Sequence, residues 1–386
     1  VYDVIIIGGG PCGSYIAQSL SHQGYRVVVV EKNSRVGDDI CCTGILGQEC
    51  LNTFAFDNGL VLRQFSSAKF LSPSGKCLRL YREAPVAAII DRPRLDVSLA
   101  NQAEVAGADY LFGATVTNIT PDPDAVEVRI NGQHQETVLK AETAIIATGF
   151  GSPLPARLGL GEIKQFGLGA QAEVTINGIN EVEVYFDQNL SPGTFAWLVP
   201  TSDGRGLAGL LSQCQADGHL QDFLDTLCRQ GKIASSHVPY NQALIPFKPL
   251  PKTYTSRVLV VGEAAGQVKP ISGGGIYYGL LCAGIAAEVV SQAFSAGDFS
   301  ASTLSAYQKR WRAKLNCELT IDYWARALFA RLSNQHIEFL FRRARQKGVA
   351  EKVAASTNLS FDWHSGILLR LAWRLMPFLK GSKSTS

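Results

Sequence analysis

The 386-residue sequence predicts an α/β protein in which a Rossmann-type dinucleotide-binding domain is interleaved with an antiparallel-sheet substrate domain and followed by a C-terminal helical region. Three observations predict this. The chain opens on a strand, a glycine turn, a helix and a second strand. Alternating apolar and polar runs begin near Phe150. A glycine-rich strand-to-helix turn near Arg257 then returns the chain to the first domain. The assigned boundaries are 1–70, 86–165 and 255–295 for the dinucleotide domain, 71–85 and 166–254 for the antiparallel domain, and 296–386 for the helical region.

Asp3 to Ile7 is long enough for a buried parallel strand and too short for a helix. It runs into Gly8-x-Gly10-x-x-Gly13, then a helical pattern from Ser14 to His22, then Val27 to Val30 ending at Glu31-Lys32. Gly8 permits the tight turn, Gly10 lets a pyrophosphate approach the backbone, and Gly13 lets the helix pack close to the strand. The phosphates belong at the helix N-terminus, where unpaired N–H groups favour negative charge. Glu31 is placed to accept hydrogen bonds from a ribose 2′-OH.

After a polar loop comes Ile40-Cys-Cys-Thr-Gly-Ile-Leu-Gly47. Cys41 and Cys42 are either small residues in a tight turn or thiols facing an active site; a thiol with an ordinary pKa is mostly protonated at neutral pH and can give up a proton. Val86 to Ile90 reads as a strand running into a helix with Pro93 near its start. Arg92 at that junction is either a cation reaching the cofactor or a surface arginine. Strands follow near Ala108 to Ile119, a hairpin around Asn131-Gly132, and a buried strand ending Ala147-Thr148-Gly149.

Gln171–Ile176 and Glu181–Phe186 flank Asn177-Gly-Ile-Asn180 and are expected to form a second hairpin. Phe195 and Trp197 lie two apart and share one face of a strand, as core packing or as an aromatic wall over a ligand. Arg257 to Gly266 reads as a strand and turn, and Gly273-Gly-Gly275 opens a helix through Val290, offering N–H groups to a phosphate or a flavin edge. Ser302 to Arg345 is helical. The segment 363–380 places Arg370 and Arg374 opposite Leu368, Leu375 and Leu379, which suits a helix lying at a membrane surface or one docked on its own protein, with Pro377 breaking the last turn.

A formal charge of +3 and no basic patch interleaved with aromatics argue against nucleic acid as partner. Charged residues make up 18%, below the usual quarter, which fits a lipid ligand, a membrane contact or a large core. Nine cysteines without paired metal spacing, and a sequence opening directly in a strand, point to a reducing, cytoplasmic setting without a targeting segment. Gly273 to Ala287 is uncharged but short and glycine-rich, and is expected to be a buried helix.

Together, Gly8-x-Gly10-x-x-Gly13 with Glu31, Arg92 before Asp96, Ala147-Thr-Gly149 and Gly262-Glu-Ala-Ala-Gly266 resemble the FAD-containing, p-hydroxybenzoate-hydroxylase-like flavoproteins. Gly262 through Leu281 is similar to the geranylgeranyl reductase family, and the likeness runs from Val1 to about residue 320. The resemblance implies FAD contacts at Gly8, Gly10, Pro11, Cys12, Gly13, Glu31, Lys32, Cys42, Thr43, Gly44, Arg92, Val116, Ala147, Thr148, Gly149, Gly262, Glu263, Pro270, Gly273, Gly274, Gly275 and Ile276. It implies catalytic thiols at Cys41 or Cys42, with Cys42 the better match, and a prenyl site at Phe195, Trp197, Val199 and Pro200. Glu263 stands where the family usually has aspartate, and Val199 where it has an aromatic. Flavin-dependent halogenases carry a related strand with two tryptophans.

The implied activity is FAD-dependent saturation of C=C bonds in an isoprenoid chain, with an isoprenoid lipid as substrate and peripheral membrane contact. No second nucleotide-binding unit is visible, and the resemblance leaves the electron donor open between surface-bound NADPH, ferredoxin and a quinol. The competing expectations are a flavin monooxygenase or halogenase acting on an aromatic compound, and a non-catalytic prenyl-binding module.

Overall fold

Strands that are apolar at every position need cover on both faces, and the first two strands show the consequence. The computed structural model describes residues 2–38, 40–132, 135–213, 216–356, 360–366 and 368. The chain opens on β1 (Val4–Ile7), α1 (Pro11–Ser21) and β2 (Val27–Val30), followed by β3 (Ile45–Gly47), α2 (Gln48–Phe54), β4 (Val61–Phe65), β5 (Ser67–Leu71), β6 (Cys77–Tyr81) and β7 (Ala87–Ile90). Helix α3 (Arg92–Val105) leads into β8 (Asp109–Leu111), β9 (Thr115–Pro121), β10 (Val126–Asn131), β11 (Glu136–Ala141), β12 (Thr143–Ile146) and the single turn α4 (Leu154–Arg157). Then come β13 (Phe166–Thr175), β14 (Val182–Tyr185), β15 (Ala196–Ser202), β16 (Arg205–Ser212), α5 (Ala216–Arg229), β17 (Tyr240–Pro246), β18 (Tyr254–Thr255) and β19 (Val258–Val260). Helices α6 (Ile276–Ala296), α7 (Ala301–Phe329), α8 (Asn334–Gln346) and α9 (Val349–Ala354) follow.

Two units emerge: residues 1–42, 91–167 and 244–316 in the first, and residues 43–90, 168–243 and 317–386 in the second. In the first, a six-stranded sheet runs β18-β19-β12-β1-β2-β8. Strand β1 is parallel to both neighbours, with Val4 opposite Thr143 on β12 and Val27 on β2. The antiparallel ribbon β11-β10-β9 turns Val126, Val128 and Ile130 onto Ile5, Ile7, Val28 and Val30 of that sheet. Helix α1 packs against α3 and α6. At the start of α3 the Asp91 carboxylate accepts from Arg94 N at 3.1 Å, and Pro93 occupies a first-turn position that needs no N–H partner. Helix α6 is long and apolar enough to cross a membrane. It is nonetheless a core helix, as the sequence suggests, with Tyr278, Leu280, Ala283, Ala286 and Val290 fully buried.

In the second unit a seven-stranded sheet runs β17-β13-β16-β15-β14-β5-β6 and is crossed on one face by α5. Phe223, Leu220, Leu224 and Leu227 of that helix cover Ala170, Ala172, Ala196, Leu198, Ala208 and Leu210. A small sheet, β3-β7-β4, completes it.

Three expectations are corrected. Strands β13 and β14 do not form a hairpin: β13 pairs with β16, and β14 pairs with β15 and β5. The hairpin β15–β16 lies between them, and the backbone of the Asn177 turn is taken up by the segment after α5, with Asn177 N donating to Lys232 O at 2.9 Å and Ile176 bridging Ile233. Residues 43–70 belong with the antiparallel unit, because β3 and β4 both pair with β7 and β5 pairs with β14. The C-terminal helical region is not a separate body, since it divides near residue 316 between the two units. Of the expected surface helix 363–380, all but 363–366 and 368 lies outside the described residues.

Candidate active site

At the end of β1 the glycines meet their requirements individually. Gly8 has φ +106°, and a Cβ there would lie 2.4 Å from Ala147 O; a Cβ on Gly13 would lie 1.9 Å from Gly8 O. Both positions therefore admit only glycine without a backbone shift. Gly10 has no neighbour that a side chain would meet, and it begins α1 without a side-chain cap and without an acid in the first turn. The N–H groups of that turn are thus presented to a ligand. Pro11 takes the first helical position. Buried Glu31 accepts from Gly9 N at 2.7 Å and from Asn33 N at 2.9 Å, so the acid at the end of β2 also ties down the glycine turn. Lys32 is exposed, and Val116, on β9 of the ribbon, faces the core. Ala147 N donates to Ile7 O at 2.8 Å, which sets the Ala147-Thr148-Gly149 turn beside the end of β1; Gly149 has φ +72°.

Beside this turn lies a dense charge cluster. Arg92 Nη1 is 2.7 Å from Asp96 Oδ1, and Arg92 Nη2 donates to Asp96 Oδ2 at 3.3 Å. Arg92 also hydrogen-bonds the Cys42 side chain and feels the charge of Glu263. Burial pushes Asp96 up to about 6 against the pull of Arg92, and burial likewise raises Glu263, again opposed by Arg92. Two carboxyls compete for one guanidinium. Burial, with Cys42 and Glu263 adding, pushes the Cys41 thiol up to about 11; burial, with Glu263 adding, pushes Cys12 up to about 12. Glu263 nevertheless reaches solvent, and Cys12, Cys41 and Cys42 are half-buried. Cys41 and Cys42 are thiols rather than a vicinal disulfide.

The turn after β19 supplies the other wall. Gly262 has φ +70°, and a Cβ there would lie 2.8 Å from Cys12 Sγ; one on Gly279 of α6 would lie 2.6 Å from the same sulfur. Buried Gln267 accepts from Gly262 N at 2.7 Å and donates to Tyr307 Oη at 2.8 Å, while Tyr307 donates to Val260 O at 3.1 Å. Lys269 and Pro270 are buried. Gly273 N donates to Lys269 O at 2.9 Å, closing the loop that delivers Gly274 and Gly275 to Ile276, the first residue of α6. Helix α6 also starts on a glycine, with neither side-chain cap nor first-turn acid.

Within the second unit, Thr43 donates to Gln171 Oε1 at 2.6 Å and Gly44 O accepts from Ile90 N at 2.9 Å, so both residues are bound to that unit's own sheets. On the sheet face away from α5, Phe195 and Trp197 have ring centroids 5.8 Å apart. Phe186 stands 6.3 Å from Phe195, 5.5 Å from Phe329 and 6.1 Å from Phe341. Gly209 lets the Trp197 ring lie against the strand, since a Cβ there would be 2.6 Å from the indole. The Trp197 Nε1 donor is buried without a hydrogen-bond partner among the described residues. Val199 and Pro200 are buried, and Val199 packs with Phe65 and Ile89 rather than with the phenylalanines. Phe186, Phe329, Phe341, Gln267 and Tyr307 were not identifiable from sequence; the Arg92–Asp96 pair was signalled by its i, i+4 spacing.

These residues fit a flavin dinucleotide. Two uncapped, glycine-started helices provide N–H groups, and Arg92 Nε and Ser272 Oγ are buried polar atoms without partners among the described residues. Fold and site define an FAD-binding oxidoreductase. The FAD binding domain family matches residues 1–221, and the chain belongs to that family. It is an FAD-dependent oxidoreductase similar to geranylgeranyl reductases. Digeranylgeranylglycerophospholipid reductase of Methanocaldococcus jannaschii is 28% identical over 352 residues, covering 88% of this chain and 90% of that one. A geranylgeranyl bacteriochlorophyll reductase-like protein of Thermoplasma acidophilum superposes with a TM-score of 0.85 at 20% identity, covering 98% of this chain and 97% of its own. A p-nitrophenol 4-monooxygenase of Pseudomonas putida reaches a TM-score of 0.72 at 17% identity, covering 100% and 99%. These two structural likenesses are of fold.

Proposed function

We propose that this protein reduces C=C bonds in the geranylgeranyl-type chain of a membrane lipid. The observation that carries this reading is the aromatic array of Phe186, Phe195, Trp197, Phe329 and Phe341 on the α5-free sheet face, in a chain whose other unit carries the flavin turn. Such a surface suits a long apolar chain, which contributes roughly 0.8 kcal/mol per methylene buried. Likeness over nine-tenths of a digeranylgeranylglycerophospholipid reductase supports the same substrate class.

Bound FAD, once reduced, supplies the hydride that alkene reduction requires. The chain's own residues have three tasks. The turns at Gly8–Gly13 and Gly262–Gly275 hold the dinucleotide, and the aromatic face orients the chain and excludes water. The Cys41–Cys42 loop holds the proton that the second carbon must receive. At neutral pH Cys41 keeps its proton, and Cys42, linked to Arg92, is the other candidate donor. NADPH or ferredoxin is the proposed electron source.

The test is anaerobic. The purified protein is reduced with dithionite, geranylgeranyl lipids are added singly, and flavin absorbance and lipid mass are followed. Reoxidation without oxygen, with two hydrogens gained per double bond, is the expected result. A flavin that stays reduced until air enters supports the monooxygenase reading instead, and a protein without flavin sinks both.

A further inference from the structure

Cys41 and Cys42 are the only adjacent cysteines in the sequence. Both thiols are half-buried, whereas Cys50 and Cys282 are buried. They lie in irregular backbone between β2 and β3, ahead of Gly44 at φ +73°. Their surroundings differ. Arg92 donates a hydrogen bond to the Cys42 side chain, so a cation is in place to stabilise negative charge gathering on that sulfur. Burial, with Cys42 and Glu263 adding, pushes the Cys41 thiol up to about 11, so Cys41 keeps its proton. Cys12, the other half-buried cysteine of this unit, has its sulfur against Gly262 and Gly279. A sulfur beside a cation, followed or preceded by one that stays a thiol, is the pairing of an oxidisable cysteine with its resolving partner.

We propose that Cys41 and Cys42 are a peroxide-oxidisable pair that closes into a vicinal disulfide and reopens with a dithiol. Hydrogen peroxide, the product of two electrons and two protons reaching dioxygen, is the oxidant. The Cys42 sulfur attacks one peroxide oxygen and the O–O bond breaks. Cys42 becomes a sulfenic acid, and the other oxygen leaves as water with the thiol proton. The Cys41 sulfur then displaces the sulfenic hydroxyl, which takes the Cys41 proton and leaves as a second water. Each sulfur has given up one electron, and the peroxide has accepted both. Neighbouring Cα atoms stand about 3.8 Å apart, against about 4.4–6.8 Å in ordinary disulfides, so the bridge is strained. Strain makes a bridge easy to reduce, which suits a reversible switch rather than a structural tie. The chemistry is independent of the reductase reading. Only its consequence rests there: both candidate proton donors are withdrawn while peroxide is present.

The FAD-loaded full chain is treated with stoichiometric hydrogen peroxide, alkylated and digested, and its peptides are weighed and fragmented. Dimedone is added in a parallel sample to trap sulfenic acid. In the parent, the peptide containing Cys41 and Cys42 should lose two hydrogens, resist alkylation at both residues and regain both thiols with dithiothreitol. Cys41→Ser, which removes the resolving thiol, should trap dimedone at Cys42, and Cys42→Ser should not trap it at Cys41. Thiols at Cys41 and Cys42 that survive peroxide overturn the proposal. So does a bridge from Cys42 to Cys12 or Cys50, or oxidation of Cys42 in the parent that stops at, or runs past, the sulfenic acid without a bridge. Dimedone trapped at Cys41 in Cys42→Ser as readily as at Cys42 in Cys41→Ser overturns the division of roles. Failure of the reductase reading is distinct, because the thiol form would then reduce no geranylgeranyl lipid while the peptide masses stayed as they are.

Discussion

Removing one hydroxyl, in Tyr307→Phe, tests whether the buried network under Gly262 sets the flavin-side turn. The Tyr307 hydroxyl accepts from Gln267 Nε2 at 2.8 Å and donates to Val260 O at 3.1 Å, and Tyr307, Gln267 and Val260 are fully buried. Phenylalanine leaves one donor and one acceptor without partners. Each costs about 1–3 kcal/mol, so destabilisation of roughly 2–6 kcal/mol is expected. Gln267→Met instead orphans Gly262 N, whose bond to Gln267 Oε1 is 2.7 Å. In the double variant the Gln267 donor no longer exists, so its cost falls short of the sum of the singles by about 1 kcal/mol. Because Gly262 borders the site, FAD affinity, read by fluorescence titration, should fall about tenfold in either single variant, equivalent to about 1.4 kcal/mol. Thermal unfolding of apo and FAD-loaded protein measures the stability change. A Tyr307→Phe protein within about 0.5 kcal/mol of the parent, with unchanged FAD affinity, refutes the reasoning.

Gly279→Ala drives a methyl toward Cys12 Sγ and should destabilise by about 1–3 kcal/mol, with Cys12→Ala in the same chain recovering most of the lost melting temperature. Asp96 has a folded value of about 6, above its ordinary value, so the native state holds the extra proton. Its stabilising contribution is complete below about pH 4 and is lost as pH rises through about 6; apo Asp96→Asn should lack that loss in a melting series. Glu338 shifts the other way. Burial opposes, but bonds from Lys76 Nζ at 2.7 Å, Ser72 Oγ at 2.6 Å and Ser74 N at 2.6 Å hold it at about 2. That contribution is present above about pH 4.5 and lost as pH falls toward 2, so Glu338→Gln should flatten the acid limb of the same series.

The parts legible in the sequence are those where local chemistry decides. Strand β1, the Gly8–Gly13 turn, α1 and the Gly262–Gly275 loop follow from glycine conformation and apolar runs that have one stable reading. Pairing at a distance was not legible. Alternation in Gln171–Ile176 and Glu181–Phe186 states that each strand has a buried face, but it cannot state that β15 and β16 will lie between them. For the same reason residues 43–70 could not be apportioned, since a short strand carries no mark of its sheet. The aromatic array was half visible. Phe195 and Trp197 share a face by periodicity, whereas Phe329 and Phe341 come from helices whose phase toward the sheet only packing reveals.

Cys12 explains how a domain assembled from distant segments keeps a single site. Its side chain reaches both Gly262, in the turn after β19, and Gly279, in the first turn of α6, and at each a Cβ would come within 2.8 Å of the sulfur. The first glycine motif thus touches the second through one side chain, and each must surrender its own Cβ for the contact to form. Gly13 closes on Gly8 within the first motif, and Gln267 closes on Gly262 within the second. Each turn is shaped locally, and Cys12 then fixes one against the other. A thiol suits the position, being small, apolar and, with burial pushing it to about 12, uncharged across the physiological range. The glycines that read as cofactor contacts therefore also hold together a domain whose chain leaves and returns twice.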